Sequence, residues 1–119
     1  STYAIQKLMI KLGYWKIWGL GEFVRIILNY LELEYEEDYI LTDDDWFPTK
    51  FERGMAFPNL PYLYDGDHNQ TETTAIIEYL CAKYWPELLG TTPADKGTIA
   101  MLWNIFFEWN SQVRGLCYS

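Results

Sequence analysis

The spacing of apolar residues changes sharply near Gly19, and this change constrains the fold more than any other feature of the chain. Before it, from Leu8 to Tyr14, apolar residues alternate with others, which is the period of a β-strand. A second strand is predicted over Tyr35 to Leu41. The stretch between the strands has the i, i+3, i+4, i+7 spacing of an amphipathic helix, at Leu20, Phe23, Val24, Ile27, Leu28 and Leu31. The sequence therefore predicts a βαβ unit with a right-handed crossover.

The middle of the chain predicts a short or irregular helical segment, a strand, a hairpin turn and a very short strand. These elements are expected at Trp46 to Arg53, Leu60 to Tyr64, Asp65-Gly66-Asp67, and Asn69 with Gln70. Three aspartates at 43–45 precede the helical segment, as acidic groups do at helix starts, and Gly54 ends it. The two prolines in Phe57 to Pro61 keep that stretch out of a helix.

Two helices are predicted in the last third of the chain. The first covers Thr71 to Tyr84, with Ile76, Ile77, Tyr79 and Leu80 inward, and stops at Trp85-Pro86. The second runs from about Pro93 towards Gly115, because Thr92 is a good N-cap, proline suits the first helical position and Asp95 suits the third. The order of elements predicts an α/β fold of the thioredoxin-like kind, followed by a connector and one long helix.

The long helix is apolar over much of its circumference. One apolar stripe consists of Ile99, Leu102, Trp103, Phe106 and Val113. Four further apolar residues extend it around the helix: Met101, Ile105, Phe107 and Trp109. A single small α/β domain covers only one side of such a helix. We therefore expect further helices, a second subunit or a larger complex to cover the rest.

Composition excludes several classes of protein. The 119 residues are the size of one domain, and the net charge of −8 leaves no basic stripe for nucleic acid. No apolar run is long enough for a membrane span, and Ser1 to Gln6 does not resemble a signal peptide. Two cysteines and one histidine predict neither a disulfide framework nor a metal site. We expect a reducing compartment, the cytoplasm, with a mitochondrial or other complex-bound location after import as the alternative.

Thiol–disulfide catalysis, the usual chemistry of a thioredoxin-like fold, is not expected. It needs a cysteine at the start of the first helix, where the helix dipole lowers the pKa of the thiol. The stretch from Trp15 to Arg25 has no cysteine, because Cys81 falls in a later helix and Cys117 lies near the chain end.

Tyr14 ends the first predicted strand, at the edge of the sheet where open α/β folds bind ligands. A phenol there can donate a hydrogen bond to an anion and so favour the thiolate of a thiol ligand. A bond to a charged group contributes about 1.5–3 kcal/mol. The alternative is a rim tyrosine that only packs, as tyrosines commonly do.

Several motifs together resemble the first domain of mu-class glutathione transferases. The order and spacing agree over nearly the whole chain, and the combination is far more specific than any single motif. The motifs are Gly13-Tyr14-Trp15-Lys16-Ile17-Trp18-Gly19-Leu20, Lys50-Phe51-Glu52-Arg53-Gly54, Phe57-Pro58-Asn59-Leu60-Pro61-Tyr62, Asp65-Gly66-Asp67 and Ala75-Ile76-Ile77-Glu78-Tyr79-Leu80.

The resemblance implies a function: transfer of glutathione to an apolar electrophile, with glutathione as co-substrate and no other cofactor or metal. It implies that Tyr14 activates the thiol and that Pro61 follows a cis peptide bond. It also implies three groups of contacts with the tripeptide. Trp15, Trp46 and Lys50 hold its glycine end, and Asn59 and Leu60 pair with its cysteinyl backbone. Glu72 and Thr73 hold its γ-glutamyl end. For Lys50 a solvated surface lysine is the alternative, and for Thr73 a plain helix cap.

The last helix carries two further residues in the resemblance. Glu108 matches an aspartate that reaches the glutathione of the partner subunit, and Tyr118 matches a tyrosine lining the pocket of the second substrate. The resemblance also implies a two-fold homodimer, a glutathione-binding domain over residues 1–85, and a connector and first helix of an all-helical domain over 86–119. The rest of that second domain is expected to be missing from this chain.

The chain departs from the family pattern in ways that leave other functions open. Glu72 stands for glutamine, Glu108 for aspartate, and Glu22-Phe23 for a Gln-Pro pair. One alternative is a non-catalytic, transferase-like subunit of a larger assembly, contacting its neighbours through the apolar last helix. Another is a glutathione-binding module without turnover.

Overall fold

The computed structural model describes residues 10–118, and side chains to residue 117. The chain divides into two compact units, one reaching Leu80 and the other beginning at Cys81. In chain order the elements are β1 (Ile10–Trp15), α1 (Gly19–Tyr30), β2 (Glu36–Ile40), α2 (Asp43–Trp46), a 3₁₀ turn (Lys50–Glu52), β3 (Tyr62–Asp65), β4 (His68–Thr71), α3 (Thr73–Tyr84), a second 3₁₀ turn (Pro86–Leu89) and α4 (Pro93–Tyr118).

The first unit contains a mixed four-stranded sheet in the order β2-β1-β3-β4. β1 runs parallel to β2, with Tyr14 opposite Tyr39, and antiparallel to β3, with Leu12 opposite Leu63. β3 and β4 form a hairpin whose turn includes Gly66 at a φ of 62°. The predicted βαβ unit and thioredoxin-like fold are confirmed, while the predicted start of the first strand at Leu8 lies outside the described residues.

Two apolar clusters cover the sheet. The first joins strands β1 and β3 to helices α1 and α3, through Ile10, Leu12, Val24, Leu28, Leu63, Ile76 and Leu80. The inward faces predicted for both helices are therefore confirmed. The second cluster is more aromatic and consists of Tyr14, Ile40, Trp46, Met55, Leu60 and Tyr62. It places the end of β1 against the segment that leads into β3.

The predicted helical segment at Trp46 to Arg53 is wrong in its bounds. The helix begins earlier, at Asp43, because the Asp45 carboxylate accepts hydrogen bonds from both the backbone N–H and the hydroxyl of Thr42, each at 3.0 Å. It ends at Trp46, two residues before Pro48, which has no N–H to continue the ladder. A separate 3₁₀ turn follows, and Gly54 ends the segment at a φ of 81°, as predicted.

The predicted start of α3 at Thr71 is also wrong. Thr71 is the last residue of β4 and pairs with Tyr62, and Glu72 has a φ of 71°, so the helix begins at Thr73. Periodicity missed this because the strand before the helix is too short to show an alternating pattern.

The second unit contains the long helix α4. Its start is capped as predicted, since the Thr92 hydroxyl accepts a hydrogen bond from the Asp95 N–H at 3.1 Å. The helix extends three residues beyond the predicted end at Gly115. Several of its apolar side chains are exposed, among them Met101, Leu102, Ile105, Trp109 and Leu116. In the described part of the chain, no helix has the length and hydropathy to cross a membrane.

Candidate functional site

Tyr14 lies at the junction of β1 and α1. Its side chain is buried, and its hydroxyl oxygen accepts a hydrogen bond from the backbone N–H of Leu20 at 3.1 Å. Because α1 begins at Gly19, that N–H is one of the donors that a helix start leaves without an internal partner. Among residues 10–117, the Tyr14 hydroxyl donates to no protein acceptor. Since a hydroxyl can accept and donate at once, its proton remains for a ligand.

Two glycines allow α1 to approach the Tyr14 ring this closely. A Cβ atom at Gly19 would lie 2.6 Å from the Tyr14 hydroxyl oxygen, and one at Gly21 would lie 2.5 Å from ring atom Cδ2. Gly19 also has a φ of 40°, which side chains rarely adopt. Any larger residue at either position therefore displaces the tyrosine or the helix.

Arg25 holds the loop between Tyr14 and α1. Its guanidinium donates to the Ile17 carbonyl at 3.0 Å, to Glu22 at 3.1 Å, and to the Glu37 carboxylate on β2. Burial by itself lowers the pKa of Arg25, but the hydrogen bonds and charges of Glu22 and Glu37 outweigh it and raise the pKa. Glu22, which departs from the family pattern, therefore helps to fix the loop after Tyr14.

Trp46 and Lys50 lie on the segment between β2 and β3. Trp46 is buried, and its ring stacks on Tyr62 with centroids 6.2 Å apart and planes 10° apart. The Lys50 ammonium lies 5.5 Å from the centroid of the Phe47 ring and 5.0 Å from that of Phe51. Within the described residues Lys50 forms no ion pair, so its charge is available to an anion.

Phe47 joins this segment to Trp15. The two ring centroids are 6.5 Å apart, and half of the Phe47 side chain is exposed. The sequence reasoning missed Phe47, whose only signal was its place directly after Trp46. The structure thus brings Trp15, Phe47 and Lys50 into one connected aromatic and cationic group.

Asn59 and Leu60 lie directly before β3, and the Leu60–Pro61 peptide bond is cis. The Asn59 side-chain oxygen accepts from the Leu60 N–H at 2.9 Å, and its amide donates to Glu72 at 3.3 Å. Leu60 is buried in the same cluster as Tyr14 and Trp46. This stretch therefore connects the tyrosine to the start of α3.

Glu72 and Thr73 form the start of α3. Glu72 has a left-handed backbone, which for a residue other than glycine costs about 1–3 kcal/mol and is frequent at ligand sites. Thr73 is buried and is the first residue of the helix. The first N–H groups of α3 and its dipole favour an anion at this point.

A polar network of Asp38, Arg53 and Tyr62 lies next to the Trp46 ring. Tyr62 donates a hydrogen bond to the Asp38 carboxylate on β2, and Arg53 pairs with the same carboxylate at 3.2 Å. Burial, followed by the hydrogen bond and charge of Asp38, raises the pKa of Tyr62 well above its usual value. The sequence reasoning missed this network because its members are far apart in the chain and no single motif contains them.

The remaining residues of interest belong to the second unit. Glu108 is exposed on α4, and Tyr118 is the last residue of that helix, with its side chain outside the described part. Cys81 is buried, which raises the pKa of its thiol, whereas Cys117 is exposed. Among residues 10–118, no three His, Cys, Asp or Glu side chains lie close enough together to hold a metal ion.

Relatives with assigned names match most of this chain. It is 43% identical over 110 residues to the class-mu 26 kDa glutathione S-transferase isozyme of Schistosoma japonicum, covering 91% of this chain and 50% of that protein. It is 38% identical over 115 residues to glutathione S-transferase Mu 4 of Rattus norvegicus, covering 91% and 52%. The chain thus spans about half the length of the curated relatives it matches.

A solved structure supports the fold. The pi-class glutathione S-transferase of Onchocerca volvulus matches with a TM-score of 0.82 and 29% identity, covering 92% of this chain and 50% of that one. The family model described as "Glutathione S-transferase, N-terminal domain" matches residues 10–82, from β1 into α3. The resemblance seen in the motifs is thereby confirmed: the two curated relatives given above carry the mu-class name, and the chain belongs to the glutathione S-transferase family.

Proposed function

We propose that this protein is a glutathione transferase that conjugates glutathione to apolar electrophiles, a detoxification type of reaction. The observation that carries the proposal is the hydroxyl of Tyr14, which accepts from the Leu20 N–H and retains its own proton for a ligand. That proton donates to the sulfur of glutathione. Since the bond is stronger to the thiolate than to the thiol, it favours the ionised nucleophile.

The size of this effect is sufficient for catalysis. A hydrogen bond to a charged group contributes about 1.5–3 kcal/mol, and one pKa unit corresponds to about 1.4 kcal/mol. The bond from Tyr14 therefore lowers the pKa of the bound glutathione thiol by about one to two units. From an ordinary thiol pKa of about 8.5, such a shift raises the ionised fraction at pH 7 from a few per cent to between about a quarter and three quarters.

We propose that three groups of side chains hold the tripeptide for attack. The glycine carboxylate is bound by Lys50, which has no ion pair in the described part of the chain, together with Trp15 and Trp46. The main chain at Asn59 and Leu60 binds the cysteinyl backbone. The γ-glutamyl end lies at the start of α3, where Glu72 accepts from the ammonium and Thr73 with its helix N-terminus receives the carboxylate.

The wider assignment follows the same family. Residues 1–85 form the glutathione-binding domain, and 86–119 form the connector and first helix of an all-helical domain. The protein is a cytoplasmic homodimer with no cofactor other than its co-substrate. Glu108 contacts the glutathione of the partner subunit, and Tyr118 lines the pocket for the electrophile. The exposed apolar side chains of α4 support this assignment, because a helix of this kind needs cover on several sides.

The first experiment is titration calorimetry of glutathione into the full chain. We expect binding in the micromolar to low millimolar range, about −4 to −8 kcal/mol. The ultraviolet absorbance of the bound thiolate, followed against pH, then gives the pKa of the thiol. Tyr14→Phe should raise that pKa by about one to two units while leaving affinity nearly unchanged. The matched control is Tyr30→Phe, the same change at an exposed tyrosine at the far end of α1.

Activity distinguishes the three functions. Conjugation of chlorodinitrobenzene that slows in Tyr14→Phe and not in Tyr30→Phe supports the transferase. Equal rates in both variants would mean that the phenol is not the activating group. Binding without conjugation in the longest natural chain would indicate a binding module. A folded protein that binds no glutathione would favour the structural subunit.

A further inference from the structure

Arg53 joins three parts of the first unit through every nitrogen of its guanidinium. Nη1 donates to the Asp38 carboxylate on β2 at 3.2 Å and to the Tyr62 hydroxyl on β3 at 3.4 Å. Nη2 donates to the Asp45 carbonyl at 3.0 Å, and Nε donates to the Thr49 hydroxyl at 3.4 Å. The planar fork of arginine suits this arrangement, since its donors point in fixed directions.

The partners of Arg53 enclose the segment that carries Trp46 and Lys50. Asp45 directly precedes Trp46, and Thr49 directly precedes Lys50. The guanidinium also lies 5.3 Å from the centroid of the Trp46 ring. Arg53 therefore contacts the residue before Trp46, the Trp46 ring itself and the residue before Lys50.

The segment needs such an anchor because it contains little regular structure. α2 ends at Trp46, and the next turn starts at Lys50, with Pro48 between them. Its backbone is held by isolated bonds, such as that from the Thr49 N–H to the Trp46 carbonyl at 3.1 Å. Local bonds of this number do not by themselves fix where Lys50 lies relative to the sheet.

The charge of Arg53 is already matched. Asp38 forms an ion pair with it, and the hydroxyl of Tyr62 bonds to the same carboxylate. Lys50, by contrast, forms no ion pair in the described part of the chain. Of the two cations on this segment, Lys50 is the one available to a ligand carboxylate and Arg53 is the one committed to the protein.

We infer that Arg53 is a positioning residue for glycine-end recognition: through Asp38 and Tyr62 it fixes Trp46 and Lys50 against the sheet without touching the ligand. This rests on the proposed glutathione site and assigns to it a supporting network. A binding group works only when its own support is rigid, so loss of the anchor should weaken the contacts at the glycine end and no others.

The test compares two ligands by titration calorimetry on the full chain: glutathione, and γ-glutamylcysteine, which lacks the glycine. Arg53→Met should weaken glutathione binding about tenfold and γ-glutamylcysteine binding less than about twofold, a tenfold change being about 1.4 kcal/mol. The effects of Arg53→Met and Lys50→Met on glutathione should be less than multiplicative, because both remove the same contact. Arg114→Met is the matched control, since that guanidinium bonds Asn110 within α4, and it should change neither affinity.

Two results with Arg53→Met would overturn the inference. Unchanged glutathione affinity in Arg53→Met would mean that the network does not act on the site. Equal weakening of both ligands would mean that Arg53 supports the whole domain. If Arg53→Met does not fold, Arg53→Lys replaces it, because it keeps the charge opposite Asp38 but loses the fork to Asp45 and Thr49. A selective loss for glutathione is again required. If the unmodified chain binds neither ligand, the proposed function itself fails, which is a separate outcome.

Discussion

The hydroxyl oxygen of Tyr14 and the backbone N–H of Leu20 are 3.1 Å apart, so the end of β1 is tied to the first turn of α1 by one hydrogen bond. The bond satisfies a helix-start donor and orients the phenol at the same time. It depends on the absence of side chains at Gly19 and Gly21, which face the ring. The candidate reacting group and the helix start are therefore a single packing unit.

Gly21→Ala should destabilise the protein and impair the site together. The new Cβ would lie 2.5 Å from Cδ2 and 2.8 Å from Cγ of Tyr14, so the ring or the helix must shift. Overpacking of this kind costs about 1–3 kcal/mol, which cancels or exceeds the gain of about 1 kcal/mol from replacing a helical glycine. Urea unfolding measures the first effect, and thiolate absorbance of bound glutathione measures the second.

Gly97→Ala is the matched control for that prediction. Gly97 lies in α4, and a Cβ there would meet nothing within 4 Å. The substitution should stabilise the protein by up to about 1 kcal/mol. Equal effects of the two alanines would contradict the packing of Tyr14 on α1.

The sequence predicted the sheet and its main helices well, because their faces are buried in a regular period. Val24, Leu28, Ile76 and Leu80 are all fully or nearly fully buried, as the helical spacing required. Its errors fell where the period is too short to read. β4, which ends at Thr71, is only four residues long, and the left-handed backbone of Glu72 does not change the spacing of apolar residues.

The candidate site was predictable only in part. Tyr14, Trp46 and Leu60 were named from motifs, and the structure packs them in one cluster. The contacts among Asp38, Arg53 and Tyr62 were missed because they join residues 15 and 24 positions apart. Strand register places Asp38 and Tyr62 on either side of Gly13 in β1, and Arg53 reaches Asp38 from the segment before β3. Pairing at such distances follows from the tertiary fold and not from local spacing.

The free energy of unfolding should fall at high pH because the buried phenol of Tyr62 ionises. Its pKa is raised in the folded state by burial and by Asp38, while the unfolded tyrosine ionises near about pH 10. Its contribution is therefore complete below that pH and is lost as pH rises towards the folded pKa. Unfolding free energy should fall by up to about 1.4 kcal/mol for each pH unit from this group.

Tyr62→Phe isolates that effect. The variant should be less stable at neutral pH by about 1–3 kcal/mol, since the hydrogen bond to Asp38 is lost. The difference from the unmodified protein should then shrink above about pH 10. Urea unfolding at several pH values measures it, and a difference that is constant with pH would contradict the raised pKa.

The two cysteines should differ in reactivity. Cys81 is buried, with the pKa of its thiol raised by burial, and Cys117 is exposed. Because the thiolate is the reactive form, iodoacetamide should label Cys117 at least about ten times faster. Mass spectrometry of digested protein at successive times gives both rates. Labelling of Cys81 should match that of Cys117 only in urea, and equal rates in the native protein would contradict the burial.

Lys50→Met should weaken glutathione binding about tenfold, because a charge-assisted hydrogen bond to the glycine carboxylate is lost. Glutathione ethyl ester, in which the glycine carboxylate is blocked, should bind the variant and the unmodified protein within about twofold of each other. The control is Lys96→Met, which removes an exposed lysine from the first turn of α4 and should change neither affinity.

Increasing salt should also weaken glutathione binding less in Lys50→Met than in the unmodified protein, since a partly exposed charge pair is screened. If Lys50→Met weakened the ester as much as glutathione, Lys50 would be supporting the segment between β2 and β3 and not binding the carboxylate.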